Sequence, residues 1–254
     1  MSILNTALFK GFTFDGVNSL DYDIYITGAG VYNAPERAVE KVSVPGRNGD
    51  LAIDQGRFEN IEVTYAECGC AAMTQEEFAE KVAAFRNALC SRVGYKRLTD
   101  GYNKDEFRMA MYISGLEVDV IAQHRMGTFD IVFDAMPQRW LTSGETKQSW
   151  TTTTKTLTNP TLFDAKPLIE VTGHGVLTIG SQSITINGTS STQVIHIDCD
   201  TMEAWEMSGS AMVPRNDYIQ NAGNDFPVLL PGANNIRRGT GISKVAMTPR
   251  WWRI

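Results

Sequence analysis

The chain has 254 residues, enough for one large all-β domain or two domains of ordinary size. Hydrophobic residues make up 43% and charged residues 20%, a globular balance that argues against extensive disorder. The net charge is -6 with a pI near 5.2, and no basic run exceeds Arg237-Arg238; phosphate binding needs clustered cations, so nucleic acid is disfavoured as the main partner.

Residues 1–20 lack the charged start, unbroken apolar run and small-residue cleavage site of a signal peptide, so secretion by that route is not expected. No run of 18 apolar residues predicts a membrane span. Phe12 and Phe14, then Ile24 and Ile26, alternate with polar residues as in half-buried strands. Asp15, Asp21 and Asp23 crowd a turn; they lack the regular ligand spacing and distal Glu of a calcium loop, so turn formation is expected. Asn48-Gly49, between Val42-Ser43-Val44 and Leu51-Ala52-Ile53, is a hairpin signal. The surrounding Pro45-to-Asp50 loop lacks the Gly-Lys-Ser/Thr end of a phosphate loop. Ile61, Val63 and Tyr65 predict a further strand.

One segment breaks the β pattern. Thr74 followed by Glu77 has capping-box spacing, and Phe78, Val82, Phe85 and Leu89 make one apolar stripe, which predicts a helix over about 74–90 lying on a sheet. Phe129, Ile131 and Phe133 restore the strand period. Between Thr142 and Thr161, 11 of 20 residues are Ser or Thr, the composition of a linker, a solvated edge strand, or both. We place a boundary just before it, giving domains 1–140 and 141–254. Beyond it Leu177 and Ile179, Ile184 and Ile186, Ile195 and Ile197, and Val245 and Met247 alternate, while Gly173, Gly175, Gly180 and Gly188 supply turns. This pattern predicts a β-sandwich.

No catalytic, cofactor or metal site is expected. His124, His174 and His196 are scattered, and His196 is expected to face solvent from its strand. Cys68-Gly69-Cys70 lacks the two-residue gap of a redox or zinc motif; with Cys90 and Cys199 it reads as reduced thiols of a protein made in the cytoplasm. No Gly-x-Ser-x-Gly elbow or His-Glu-x-x-His pair occurs.

Longer phrases carry a family resemblance. VSVPGRNGDLAIDQGRFENIEVTYA at 42–66, the helix followed by GYKRLTDGYNKDEFRMAMY, and FDIVFDAMPQR at 129–139 occur in the order of a known N-terminal domain. NPTLFDAKPLIEVTGHGVLTIGSQSITIN and the ending LLPGANNIRRGTGISKVAMTPRWWRI agree with its C-terminal half. Over nearly its whole length the chain resembles the distal tail protein (Dit) family of long-tailed (siphovirus) bacteriophages. The resemblance implies a mainly β fold: an N-terminal β-rich domain with one α-helix, plus a C-terminal galectin-like β-sandwich. It implies a non-enzymatic virion protein, assembled in the bacterial cytoplasm, that forms a homohexameric ring (baseplate hub) at the tail tip. The implied partners are the major tail tube protein, the tail-associated or tip protein, the tape measure protein and receptor-binding proteins of the host-adsorption apparatus, with DNA passing through unbound.

Arg47, Asn48 and Asp50 are the candidate subunit or lumen contacts, with a solvated hairpin tip as the competing reading. Trp251 and Trp252 are candidate interface or core anchors, since adjacent residues on a strand face opposite ways and Trp is enriched in interface hot spots. Trp140 and Trp150 are expected to pack the domains together. The alternative function is a carbohydrate-binding module contacting the bacterial surface, with Trp205, Asp198 and Asp200, beside Glu203, as its sugar contacts. A tail-associated hydrolase is the third reading and has no recognisable catalytic constellation.

Overall fold

A computed structural model describes residues 10–254 except positions 29, 122, 124, 188, 189 and 222–224. The readings at His124 and Gly188 therefore lie outside the described residues. The chain divides into two compact units, Met1–Arg139 with Ile254, and Trp140–Arg253.

The first unit contains β1 (Phe12–Phe14), β2 (Val17–Asn18), β3 (Ile24–Ile26), β4 (Arg37–Val42), β5 (Leu51–Phe58), β6 (Ile61–Ala71), α1 (Gln75–Cys90), β7 (Lys96–Asp100), β8 (Glu106–Tyr112), β9 (Asp119–Ile121) and β10 (Met126–Ala135). An antiparallel sheet runs β2-β1-β7-β8-β10-β6-β3, with β9 added to β10. The expected alternation holds: Phe12, Phe14, Ile24, Ile26, Ile61, Val63, Tyr65, Phe129, Ile131 and Phe133 are all buried in one core. It continues out of phase, because Cys68 and Cys70 are the next inward residues of β6. A bulge is the cause. Ala66 and Glu67 oppose the single residue Asp130, Glu67 takes φ 55, and its N–H donates to Asp130 Oδ1 at 2.9 Å.

The helix forms where the sequence places it. Thr74 is the N-cap, and its side chain accepts from the Glu77 N–H at 3.2 Å. The Glu77 carboxylate accepts the Met73 N–H, one residue earlier than in a standard capping box. Phe78, Phe85 and Leu89 are buried against the sheet, and Val82 is half-buried beside them. Lys81 ties the helix to the turn before β3 through Asp23, 2.7 Å away, and also pairs with Glu77 one helical turn earlier at 2.9 Å. Asp15 and Asp23 both take positive φ, as short polar side chains at turns can.

The second unit begins within β11 (Arg139–Leu141). It holds β12 (Gln148–Trp150), β13 (Thr154–Asn159), β14 (Leu168–Gly173), β15 (Gly175–Ile179), β16 (Gln182–Ile186), β17 (Val194–Asp198), β18 (Glu203–Ser208), β19 (Ala211–Pro214), β20 (Ile219–Asn221), β21 (Gly232–Arg238), β22 (Ile242–Thr248) and β23 (Trp252–Arg253). Two antiparallel sheets, ordered β12-β22-β14-β17-β18-β19 and β13-β21-β15-β16-β20, contribute inward side chains to a single core. Ile169, Ile195, Ile197 and Val245 come from the first sheet, and Leu157, Leu177, Ile184 and Ile236 from the second. This is the layered arrangement of a sandwich. The Ser/Thr-rich stretch is ordered as β12 and β13, which lie at sheet edges. Trp150, expected between the domains, belongs to the second unit's own core: it pairs with inward-facing Val245, which turns its ring the same way.

Replacing Thr74 by Ala removes the cap hydrogen bond and should cost about 1 kcal/mol. Urea denaturation of the full chain measures this as a lower midpoint at unchanged slope.

Candidate self-association and surface sites

Strands β4 and β5 form a two-stranded arm that pairs with no other strand among the described residues. The pairing reads Val42↔Leu51, Lys41↔Ala52, Glu40↔Ile53 and Val39↔Asp54. Period-two geometry then puts Val42, Leu51 and Ile53 on one face with Glu40, and Lys41 and Asp54 on the other. The apolar face is uncovered: Leu51 is 42% exposed and Ile53 45%. At the arm's root Arg37 Nε donates to Asp54 Oδ2 at 2.7 Å, which raises the guanidinium pKa and lowers that of the carboxylate. The hairpin was legible at Asn48-Gly49, but β4 stops at Val42, so residues 43–50 form its tip. Gly46 and Gly49, both at φ +79, let that loop turn. Arg47, Asn48 and Asp50 sit on this tip, all exposed.

The two C-terminal tryptophans face opposite ways. Trp251 is buried in the second core, and its carbonyl accepts the Leu141 N–H at 2.9 Å. Trp252 stays half-buried, stacked on Phe163 at 4.4 Å between ring centroids, with its Nε1 donating to the Asp164 carbonyl at 2.9 Å.

Of the residues named as sugar contacts, Asp198 and Trp205 share one face of the β17–β18 pair, Asp198 opposite Glu203 and Trp205 opposite His196. Both Asp198 oxygens accept from Arg250, each at 2.8 Å, and Oδ1 also accepts the Asp200 N–H. Burial opposes ionisation of Asp198, but the Arg250 bonds and the backbone N–H outweigh it and hold its pKa below the usual carboxylate value. Trp205 stacks on His196 at 5.5 Å with the planes 8° apart. His196 is thus half-buried beneath an indole, where the alternation predicted solvent; cross-strand pairing with Trp205 supplies the cover. Asp200 follows at the β17–β18 turn, where it lines a cleft of about 580 Å³ and pairs with Lys166 at 3.0 Å.

Burial raises the thiol pKa of Cys68 and Cys199 to about 12 and of Cys70 to about 11, which keeps them protonated and unreactive. Cys90 is exposed. Among the described residues no group of three or more His, Cys, Asp or Glu side chains is arranged to hold a metal ion.

No protein-family model matches the sequence, and no curated protein matches it. Among solved structures the chain is similar to the crystal structure of SPP1 Dit (gp 19.1), described as a paradigm of the hub adsorption apparatus in phages infecting Gram-positive bacteria. Identity is 14% and the TM-score 0.72, covering 96% of this chain and 99% of that one. The chain shares the fold of SPP1 Dit. It is also similar to chains of the phage P2 baseplate in its activated conformation. With Ca the identity is 7% and the TM-score 0.51, covering 94% of this chain and 97% of that one. With Sr the values are 8% and 0.51, covering 96% and 98%. The resemblance to the Dit family thus meets an independent match in fold, and the mainly β class with one α-helix among the described residues is the class expected.

Sequence reasoning singled out the arm's tip and passed over its apolar face. The signal was present: Val42, Leu51 and Ile53 lie in strands dense in charge, and such residues mark a contact face once no core claims them.

Because the folded pKa of Asp198 is lowered, the stabilisation it provides is complete above its unfolded value of about 3.9 and is lost as pH falls below that. Asp198→Asn should lower the second unit's stability by about 2–3 kcal/mol at neutral pH, less than a fully buried pair because Arg250 is partly solvated. The difference from the parent chain should shrink toward pH 3; thermal melts across that range check it.

Proposed function

We propose that this protein is the structural hub subunit of a bacteriophage tail tip, assembling as a homohexameric ring that joins the tail tube to the adsorption apparatus. The uncovered β4–β5 arm is the observation that carries this reading. A two-stranded hairpin alone is marginal in water, and an exposed apolar face on one favours a protein surface. Val42, Leu51 and Ile53 are 36%, 42% and 45% exposed, so covering what remains against the next subunit contributes about 1 kcal/mol for each side chain. A closed ring needs two different complementary patches on each subunit, and the arm supplies one of them. Arg47, Asn48 and Asp50, at its tip, contact the adjacent subunit or the lumen.

The likeness in fold to SPP1 Dit and to the phage P2 baseplate chains supports the placement in a tail hub. The net charge of -6 suits a channel wall that must release DNA rather than bind it. The tail tube protein above and the tip protein below are the flanking partners, with the tape measure protein threaded through and receptor-binding proteins attached outside. The protein works in the virion, after synthesis in the host cytoplasm, and the role requires no catalysis.

The double variant Leu51→Asp/Ile53→Asp should abolish ring assembly while leaving the melting temperature of the monomer nearly unchanged, since neither side chain belongs to a core. Analytical ultracentrifugation and negative-stain microscopy, with and without the neighbouring tail proteins, read the result. Rings that persist in the variant would falsify the role assigned to the arm. A parent chain that stays monomeric alongside those partners would remove the hub reading itself.

A further inference from the structure

The cleft of about 580 Å³ in the second unit falls within the range of about 300–1,000 Å³ typical of small-molecule sites. It opens at one end of the sandwich. Ile184 and Ile186 point into the core from β16, and Gln182 holds the next inward position, where the apolar layer ends. Its Oε1 accepts the Val228 N–H at 2.7 Å, which fixes the amide and leaves the Nε2 donor without a partner among the described residues. Ser183, Lys166, Asp200 and Asp225 share the lining, with Phe226 contributing an aromatic ring that also packs against the core.

Charge narrows the ligand class. Among the described residues that line the cleft, the one cation, Lys166, is already paired with Asp200 at 3.0 Å, and Asp225 adds a negative charge, so an anionic ligand would meet no unpaired positive partner among them. What the lining offers is a mixture: an oriented amide donor, a hydroxyl, carboxylate acceptors and one aromatic ring. A ligand that presents many hydroxyls, each both donor and acceptor, on a ring with an apolar C–H face matches that mixture. We propose that this cleft binds a neutral saccharide, with Gln182 bonding its hydroxyls and Phe226 covering its C–H face. The site is separate from the arm, so the inference stands or falls independently of ring formation.

Saturation-transfer NMR of the full chain with glucose and with N-acetylglucosamine tests it, alongside hydrogen–deuterium exchange to map the contact. The expected result is a saturable signal in the millimolar range for at least one sugar, with protection over residues 181–186 and 199–202. Gln182→Ala should weaken the affinity about five-fold, the worth of one hydrogen bond, and Phe226→Ala should weaken it as well. Circular dichroism confirms that each variant is folded, and the exchange map of the parent chain decides the matter if neither is. No saturable signal with either sugar, protection that maps outside the cleft, or folded variants that bind as the parent does would overturn the proposal.

Discussion

Phe133 lies at the centre of an aromatic cluster on which the first unit depends. Its ring sits 5.0 Å from Phe14, 5.5 Å from Phe12, 5.6 Å from Tyr112 and 6.2 Å from Tyr65. Phe12 stacks in turn on Tyr65 and meets Phe85 of the helix edge-on, so the cluster joins β1, β6, β8, β10 and α1. Side chains of this size dominate the burial energy of a small core. With stability gathered in the body of the sheet, the β4–β5 arm can carry apolar residues in water without the unit depending on it.

Polar interactions refine this frame where the apolar pattern alone would fail. The Tyr65 hydroxyl donates to Asp100 at 3.0 Å, and burial, with the Asp100 charge, raises its pKa well above the ordinary tyrosine value. Asp100 also accepts the backbone N–H groups of Tyr102 and Asn103, which shapes the turn after β7. In the second unit Asn159 plays the comparable part. Its amide donates to the Phe163 and Leu229 carbonyls and its oxygen accepts from Thr161, which holds the turn after β13 against the core. Such buried groups cost stability unless each is satisfied, so they favour one arrangement over its alternatives.

A fold shared with SPP1 Dit at 14% identity rests on pattern more than on particular residues. Alternation fixes which face of each strand turns inward, and many apolar residues fill an inward position equally well. The devices that locate individual strands are few. A bulge at Glu67, a capped helix at Thr74 and Gly173 at φ +100, with the Gly241 carbonyl 2.3 Å from where a Cβ would stand, are three of them.

From the sequence alone came the β period, the helix from its cap and stripe, and the hairpin near Asn48-Gly49. These are local properties, set by residues a few positions apart. Tertiary structure decided the rest: the phase shift in β6, the stacking of His196 on Trp205, the capture of Asp198 by Arg250, and the cleft that joins Gln182 to Phe226. Each depends on partners up to 63 positions apart or on a strand's neighbour in the sheet. A one-dimensional pattern records which side of a strand is apolar, and only the folded chain determines what lies opposite it.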